Sequence, residues 1–108
     1  WYKEWDFRDF EDFCLRFKSS GWSEDRHFKP QLDFITLDNN ISVDFVGTFE
    51  NLQNDFNSLL SKLGSEKIQL PHIHKSDRSR YRTYYSEKSK ALVEEFYKKD
   101  IQEFDYEF

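Results

Sequence analysis

The sequence is poor in the residues that mark several protein classes. Its 108 residues include no methionine, one cysteine, two prolines and three glycines. A single cysteine, Cys14, excludes an internal disulfide framework and a metal site built from cysteines alone. No apolar run reaches the roughly 18 residues of a membrane span, so we expect none in this chain. Because Trp1 stands where an initiator methionine would, we expect the natural N-terminus to lie upstream.

Aromatic residues supply most of the apolar surface that is available for a core. Hydrophobic residues make up only 37% of the chain, but aromatics account for 19%, with twelve Phe, six Tyr and three Trp. Each aromatic side chain buries on the order of 150–250 Å² when packed, so a small core is plausible despite the high charge content. The length fits a single domain over residues 1–108.

Charge is unevenly distributed along the chain. The formal net charge of −5 argues against a general nucleic-acid-binding protein. Residues 67–90, which we call the basic island, nevertheless contain seven basic and two acidic side chains. Residues 1–66 and 91–108 are both acidic on balance. A local anion-binding site is therefore compatible with an acidic protein.

Three segments have the apolar spacing of helices. Apolar residues recur every three or four positions in residues 6–18, 52–63 and 87–104. We expect one helix in each segment. Asp6 is placed to cap the first helix, and Gly64 is placed to end the second.

The remaining chain predicts a hairpin and a long loop. Residues 31–37 and 41–49 are rich in β-branched and aromatic residues, and residues 38–40 have the chemistry of a turn. Residues 65–85 show no sustained periodicity, and a loop of that length is usually functional or disordered. The predicted order is helix, β-hairpin, helix, long basic loop and C-terminal helix. This is an α/β fold that has an α+β appearance as a fragment.

Two possible metal or nucleophile sites have simpler interpretations. His72 and His74 lie two residues apart, and together with His27 they could suggest a metal site, but no carboxylate or cysteine lies nearby at ligand spacing. Hydrogen-bonding or surface histidines are the favoured interpretation, and we predict no metal. Cys14 lies on or beside the aromatic face of the first helix, which favours a core residue over a nucleophile.

The strongest local signal lies in residues 75–82. This stretch contains four cations and two serine hydroxyls, a composition that suits a phosphate or sulfate oxyanion. A solvated loop accounts for the same composition equally well. Only three glycines occur in the chain, and they are far apart, so it contains no glycine-rich phosphate-binding loop.

Five segments, in order, resemble motifs of the carbohydrate sulfotransferases of the membrane-type and bacterial groups. They are the acidic and aromatic helix at residues 6–18, DRHFKPQ at 25–31, VDFVGTFENL at 43–52, LPHIHKS at 70–76, and the tyrosine- and aspartate-containing ending at 81–106. The family patterns are D-x-H-W-x-P-Q for the second, DFIG-x-[FY]-E-x-L for the third, L-P-H-x-N-K-S for the fourth and Y-x-x-Y-Y…D-x-x-x-F-x-Y for the last. The resemblance covers almost the whole chain.

The resemblance implies an enzyme that transfers a sulfuryl group from 3′-phosphoadenosine-5′-phosphosulfate (PAPS) to a hydroxyl or an amine, commonly of a sugar. It also implies a fold related to P-loop nucleotide kinases. The family's strand–loop–helix element for the 5′-phosphosulfate has no counterpart here, so the resemblance predicts a C-terminal part of such an enzyme. The expected partners are the nucleotide and a carbohydrate acceptor, with no nucleic acid.

By the same resemblance, the basic island holds the nucleotide. Lys75 is the principal expected cation, with Arg78 and Arg80 beside it, and Ser76 is expected to donate to the 3′-phosphate. This would make the loop the cofactor-binding part of the chain.

The resemblance places the acceptor on a different segment. His27 and Gln31 are expected to line the acceptor side. Glu50 is expected at the end of a strand in a structural role, and the catalytic base is expected outside this chain.

Two positions depart from the family patterns, with Phe28 in place of tryptophan and His74 in place of asparagine.

A non-catalytic module that binds an anionic nucleotide or glycan through the same loop is the alternative hypothesis. A bacterial member would act in the cytoplasm and a eukaryotic member in the Golgi lumen.

Overall fold

Five helices and one two-stranded antiparallel sheet form the regular structure of residues 6–73 and 79–107, the ranges that the computed structural model describes. In chain order they are α1 (Phe10–Arg16), α2 (Leu32–Ile35), β1 (Thr36–Leu37), β2 (Asn40–Ile41), α3 (Leu52–Lys62), α4 (Glu87–Phe96) and α5 (Lys98–Glu103). The mixture agrees with the α+β fragment predicted from the sequence.

Contacts divide the chain into two units. The terminal unit comprises Trp1–Ile41 and Arg78–Phe108, and the central unit comprises Ser42–Asp77. The terminal unit contains the sheet and every helix except α3. Of the candidate site residues within the described ranges, His27, Gln31 and Arg80 belong to the terminal unit and Glu50 to the central unit.

Helix α1 starts later than the sequence predicts. Asp9 has extended backbone and its carboxylate accepts the Asp12 N–H at 2.8 Å, which makes Asp9 the cap in place of Asp6. Asp12 in turn accepts the Arg8 N–H at 3.1 Å. Because these two carboxylates bind backbone N–H groups on either side of the helix start, the first turn forms at residue 10. The predicted cap at Asp6 is wrong.

The core of the terminal unit lies between α1 and α4. Cys14 and Phe17 are the apolar residues that are buried within the described part of the chain. The Phe17 ring meets the rings of Phe28 and Phe96 edge-on, at centroid distances of 5.2 and 4.9 Å. An apolar cavity of about 200 Å³ lies beside these side chains. Cys14 is therefore a core residue, as its position in the sequence indicated, and burial raises the pKa of its thiol.

The predicted hairpin is present but much shorter than expected. Thr36 pairs with Ile41 and Leu37 with Asn40, and the two-residue turn uses positive φ angles of 50° at Asp38 and 62° at Asn39. Residues 31–35 are not a strand, since Gln31 is the cap of α2 and residues 32–35 form that helix. After Ile41 the chain is not paired as a strand in the described structure, because β-branched residues form a strand only where another strand supplies hydrogen bonds.

Helix α3 is the element that the sequence predicts best. It covers Leu52–Lys62, and Gly64 follows it with a φ of 72°. Gly64 donates to the Ser61 carbonyl at 3.1 Å and Ser65 donates to the Leu60 carbonyl at 2.9 Å. This pair of bonds is a Schellman ending, which requires a residue that adopts a left-handed conformation easily.

The single C-terminal helix expected from the sequence is two helices. Ser86 begins α4 with a capping box, in which the side chains of Ser86 and Ser89 each accept the other's backbone N–H. Tyr97 then leaves helical geometry, with φ −98° and ψ 20°, and α5 begins at Lys98. The apolar repeat continues across this break, which is why the sequence pattern does not reveal it.

The long segment before α4 is irregular where it is described, as predicted. Residues 65–73 and 79–80 contain no helix or strand, and a 3₁₀ turn covers Tyr81–Tyr84. Among the helices in the described ranges, none has both the length and the apolar character that crossing a bilayer requires.

Candidate functional site

His27 is oriented by a neighbouring carboxylate. It lies in a 3₁₀ turn, Arg26–Phe28, that starts at Asp25. The Asp25 carboxylate accepts the His27 backbone N–H at 2.9 Å and lies 2.6 Å from ring Nδ1 of the same residue. These bonds, the backbone one first, lower the pKa of the Asp25 carboxyl. The ionised Asp25 carboxylate can accept a hydrogen bond from Nδ1, so it orients the ring of His27.

Gln31 is held through its backbone. Its N–H donates to Oδ2 of Asp100 at 2.7 Å, and the Leu32 N–H donates to Oδ1 of the same carboxylate at 3.0 Å. Asp100 lies on α5 and is only 7% exposed, whereas Gln31 is an exposed residue. The carboxylate thus satisfies the first N–H groups of α2, where Gln31 provides no side-chain cap.

Tyr97 holds the same stretch of chain at a second point. Its hydroxyl donates to the Phe28 carbonyl at 2.7 Å. Burial, followed by the nearby Asp100 carboxylate, raises the pKa of Tyr97 to about 12. The hydroxyl therefore keeps its proton and remains a donor throughout the physiological range. We refer to residues 25–32, which carry His27 and Gln31, as the His27 segment.

Glu50 does not end a strand, so that expectation is wrong. It is an exposed residue in a 3₁₀ turn, Phe49–Asn51, that leads into α3. Asp55 holds this turn by accepting the Thr48 N–H at 2.9 Å and the Asn51 side-chain amide at 2.7 Å. The Thr48 N–H is the main reason that the pKa of the Asp55 carboxyl is lowered. We call residues 47–55 the Glu50 turn.

A close approach explains the glycine at the start of the Glu50 turn. A Cβ at Gly47 would lie 3.2 Å from Cβ of Asp55 and 3.4 Å from its Oδ2. A side chain at this position would press on the carboxylate that binds Thr48. The sequence therefore needs a small residue there for packing.

Helix α3 also fixes the start of the motif at residues 70–76. The Gln53 side chain donates to the Ile68 carbonyl and accepts the Leu70 N–H, both at 2.8 Å. Asn57 accepts the Ile68 N–H at 3.2 Å. Two polar side chains of α3 thus hold the backbone of residues 68 and 70.

Only part of the predicted nucleotide site lies within the described ranges. Lys75, Ser76 and Arg78 fall outside them. Arg80 is exposed, and its carbonyl accepts bonds from the N–H and the hydroxyl of Thr83, at 3.0 and 2.8 Å. The backbone of Arg80 therefore caps the 3₁₀ turn that follows it. Arg80 as a whole is exposed to solvent.

The hypothetical histidine metal site receives no further support. In residues 6–73 and 79–107, no three His, Cys, Asp or Glu side chains are grouped in a way that could hold an ion. His74, one member of the suggested pair, lies outside the described residues, and His72 is exposed.

The structural roles of Asp25 and Asp100 were not predicted from the sequence, although both stand at the aspartates of the family patterns given for residues 25–31 and 81–106. Asp25 has a recognisable local signal, because an aspartate two residues before the bonded residue is typical of an Asx turn. Asp55 also acts over a short distance. Asp100 and Tyr97 have no such signal, since their partners lie 69 residues away.

Comparison with known proteins identifies a protein family. A family model described as "Sulfotransferase family" matches residues 2–107. No curated protein and no solved structure matches the chain significantly. The family match spans segments from both units, so it depends on more than one local motif.

Proposed function

This chain belongs to the sulfotransferase family, and we propose that it serves an enzyme that transfers a sulfuryl group from PAPS to a hydroxyl group of a carbohydrate. The family match over residues 2–107 is the observation that carries the proposal. The carbohydrate acceptor and PAPS are supported by the ordered resemblance of the motifs at residues 25–31, 43–52 and 70–76.

We further propose that the chain is a C-terminal segment of the enzyme. The motifs in this sequence resemble the later ones of the family pattern. The three glycines, Gly21, Gly47 and Gly64, do not form a phosphate-binding loop. On this proposal the 5′-phosphosulfate is held by residues outside this sequence, and the 108-residue chain alone does not transfer sulfate.

The donor side of the proposed site is the basic island. When bound, PAPS would supply the sulfuryl group, and adenosine 3′,5′-bisphosphate would leave with the electrons of the broken S–O bond. Lys75, Arg78 and Arg80 would neutralise charge on the phosphate oxygens, and the Ser76 hydroxyl would donate to the 3′-phosphate. The composition of this stretch fits that role, and the exposed Arg80 stands at its C-terminal side.

The acceptor side of the proposed site is the His27 segment. A sugar presents hydroxyls that both donate and accept hydrogen bonds. The Gln31 amide has both capacities. The His27 ring is fixed along one edge by Asp25, and its side chain remains 43% exposed. Together these side chains would orient an acceptor hydroxyl, while the base that takes its proton would come from outside this chain. Glu50, in its 3₁₀ turn, would have a structural role.

Radiolabelled PAPS tests the proposed activity. The complete enzyme is incubated with ³⁵S-labelled PAPS and a panel of a neutral glycoside, an unsulfated glycosaminoglycan and a simple phenol. We expect label to enter a carbohydrate and the 108-residue chain alone to give none. Transfer only to the phenol would refute the carbohydrate acceptor. Binding of the product nucleotide without any turnover would favour a non-catalytic module, and turnover by the 108-residue chain would refute the C-terminal assignment.

A pair of lysine variants tests the donor side. Lys75→Ala should weaken binding of the product nucleotide, adenosine 3′,5′-bisphosphate, by roughly ten- to a hundredfold, because a charged hydrogen bond to phosphate is lost. The matched control is Lys98→Ala, which removes the same charge from an exposed position on α5. Calorimetric titration measures both affinities. Equal affinities would remove Lys75 from the nucleotide site.

A further inference from the structure

The His27 segment is attached to the C-terminal helices by three hydrogen bonds. Asp100 accepts the N–H groups of Gln31 and Leu32 at 2.7 and 3.0 Å, and Tyr97 donates to the Phe28 carbonyl at 2.7 Å. Both Asp100 and Tyr97 lie where α4 gives way to α5. The break between these helices is therefore also the place from which the segment is held.

All three bonds involve the backbone of the His27 segment. They act on the N–H groups of residues 31 and 32 and on the carbonyl of residue 28, so they fix the path of the chain on both sides of Pro30. The side chains of His27 and Gln31 take no part in these bonds, and both residues are exposed. The arrangement separates the groups that hold the segment from the groups that would meet an acceptor.

The burial of Asp100 strengthens its hydrogen bonds to the backbone of the His27 segment. Asp100 is 7% exposed, so water competes poorly for its two oxygens, and each oxygen takes a different N–H. A carboxylate is the side chain that offers two acceptors and no donor, which is what two adjacent backbone N–H groups require. The Tyr97 hydroxyl reaches the segment three residues earlier in the sequence, which limits rotation of the segment about the first contact.

We propose that Asp100 and Tyr97 are positioning residues, which set the place of His27 and Gln31 and thereby control how the acceptor is bound. This inference rests on the proposed function, in which those two side chains line the acceptor side. Hydrogen bonds to an acceptor hydroxyl depend on distance and angle, so a shift of the backbone that carries His27 and Gln31 would weaken acceptor binding. Neither residue needs to touch the acceptor.

Conservative variants separate positioning from packing. Tyr97→Phe keeps the ring that packs on Phe96 at a centroid distance of 4.8 Å and removes only the hydroxyl. Asp100→Asn keeps the shape of the side chain and replaces one acceptor with a donor. Glu103→Gln is the matched control for Asp100→Asn, because it changes a carboxylate to an amide at an exposed position on the same helix. Tyr97→Phe is compared with the wild-type enzyme itself.

The first readout is the steady-state kinetics of the complete enzyme. The substrates are PAPS and whichever carbohydrate of the panel above gives the highest turnover. We expect Tyr97→Phe to raise the acceptor KM by about three- to tenfold and Asp100→Asn by more, with the PAPS KM within about twofold of wild type. The Glu103→Gln control should match wild type. A merely structural role would reduce the amount of active enzyme, and hence kcat, while leaving both KM values unchanged. That result would overturn the proposal.

Amide hydrogen exchange of the 108-residue chain provides a second readout that does not need activity. At least one of the Gln31 and Leu32 amides should exchange about tenfold or more faster in Asp100→Asn than in Glu103→Gln, because one of the two oxygens that accept them is replaced by a donor. Unchanged exchange at these amides would refute the clamp itself. Faster exchange with an unchanged acceptor KM would overturn the positioning role. If wild-type enzyme shows no sulfotransfer, the proposed function fails and the positioning role fails with it, while the exchange measurement still decides whether the clamp exists.

Discussion

The His27 segment and the Glu50 turn are both held by an aspartate that accepts backbone N–H groups, but the two aspartates come from very different distances along the chain. Asp100 binds the His27 segment from 68 and 69 positions away, whereas Asp55 binds Thr48 from seven positions away. Asp100 is buried and Asp55 is only half-buried. The same chemistry therefore serves a long-range contact in one region and a local contact in the other.

This difference in distance along the chain predicts how each region responds to a destabilising substitution. A local contact closes a short loop at little entropic cost and forms with the helix beside it. A contact across nearly 70 residues exists only when the terminal unit is assembled, so its loss and the loss of packing should go together. Damage to the His27 segment should spread through the terminal unit, whereas damage to the Glu50 turn should remain within the central unit.

The largest effect should come from the aromatic packing beneath the His27 segment. Phe17 is 9% exposed and its ring contacts the ring of Phe28. Phe17→Ala should lower the free energy of unfolding of the terminal unit by about 3–5 kcal/mol, because it enlarges an apolar cavity. Urea denaturation followed by near-UV circular dichroism measures the loss. Phe49→Ala, at a side chain of the Glu50 turn that is 76% exposed, is the matched control and should change stability little. Similar losses for the two variants would contradict the comparison. Phe17→Leu gives a milder test if Phe17→Ala does not fold.

Loss of the long-range carboxylate should be the next largest effect. Asp100→Ala removes the buried carboxylate that accepts the N–H groups of Gln31 and Leu32, and leaves both part-buried donors without an acceptor. We expect the free energy of unfolding of the terminal unit to fall by about 2–4 kcal/mol. The same denaturation experiment measures this change, with Glu103→Ala on the exposed part of α5 as the control. A loss no greater than that of the control would mean that water replaces the carboxylate.

The local carboxylate should show its effect mainly through pH. The pKa of Asp55 is lowered from 3.8, so this group stabilises the Glu50 turn above pH 3.8 and the stabilisation is lost as the pH falls through the lower folded value. Hydrogen exchange of the Thr48 amide, followed by NMR across that range, should show protection disappearing below pH about 4 once the intrinsic pH dependence of exchange is subtracted.

Asp55→Asn should weaken Thr48 protection at neutral pH and abolish this acid dependence. Asp44→Asn, an exposed position in the same unit, should do neither. A normal acid transition at Thr48 in Asp55→Asn would show that another carboxyl group controls the turn.

The smallest effect should come from the contact that requires a glycine. Gly47→Ala places a methyl group 3.2 Å from Cβ of Asp55, so the neighbour must move by a few tenths of an ångström. We expect a cost of about 1 kcal/mol or less, confined to the central unit, and Thr48 exchange between that of wild type and Asp55→Asn. Faster exchange at Gln31 in this variant would contradict the separation of the two regions.

Local features were predictable because their causes lie within a few residues. The apolar repeat of α3 and the glycine that ends it are both visible in the sequence, and the structure confirms them. The two-residue turn at Asp38 and Asn39 was also predictable, because these residue types tolerate positive φ angles. Cys14 was correctly assigned to the core, since its spacing places it beside the phenylalanine face of α1.

The sequence pattern failed where a distant group decides the local structure. Residues 31–35 have the composition of a strand, yet Asp100 supplies the acceptors that let the chain start a helix at Leu32. Residues 43–46 have the same kind of composition but no strand beside them in the described structure. β-propensity reflects how well a side chain packs in a sheet beside an adjacent strand. It therefore cannot by itself specify a strand where no adjacent strand is present.

The family, the acidic balance with a basic island, and the helices with local periodicity and end signals all follow from the order of the residues alone. The folded chain was needed to reveal that Asp100 and Tyr97 hold the His27 segment and that Asp9 begins α1. It also decided that the C-terminal helix divides at Tyr97. The physical reason is the range of the interactions: periodicity and turn chemistry act over about four residues, whereas a buried carboxylate chooses its N–H partners from whatever the folded chain brings within 3 Å.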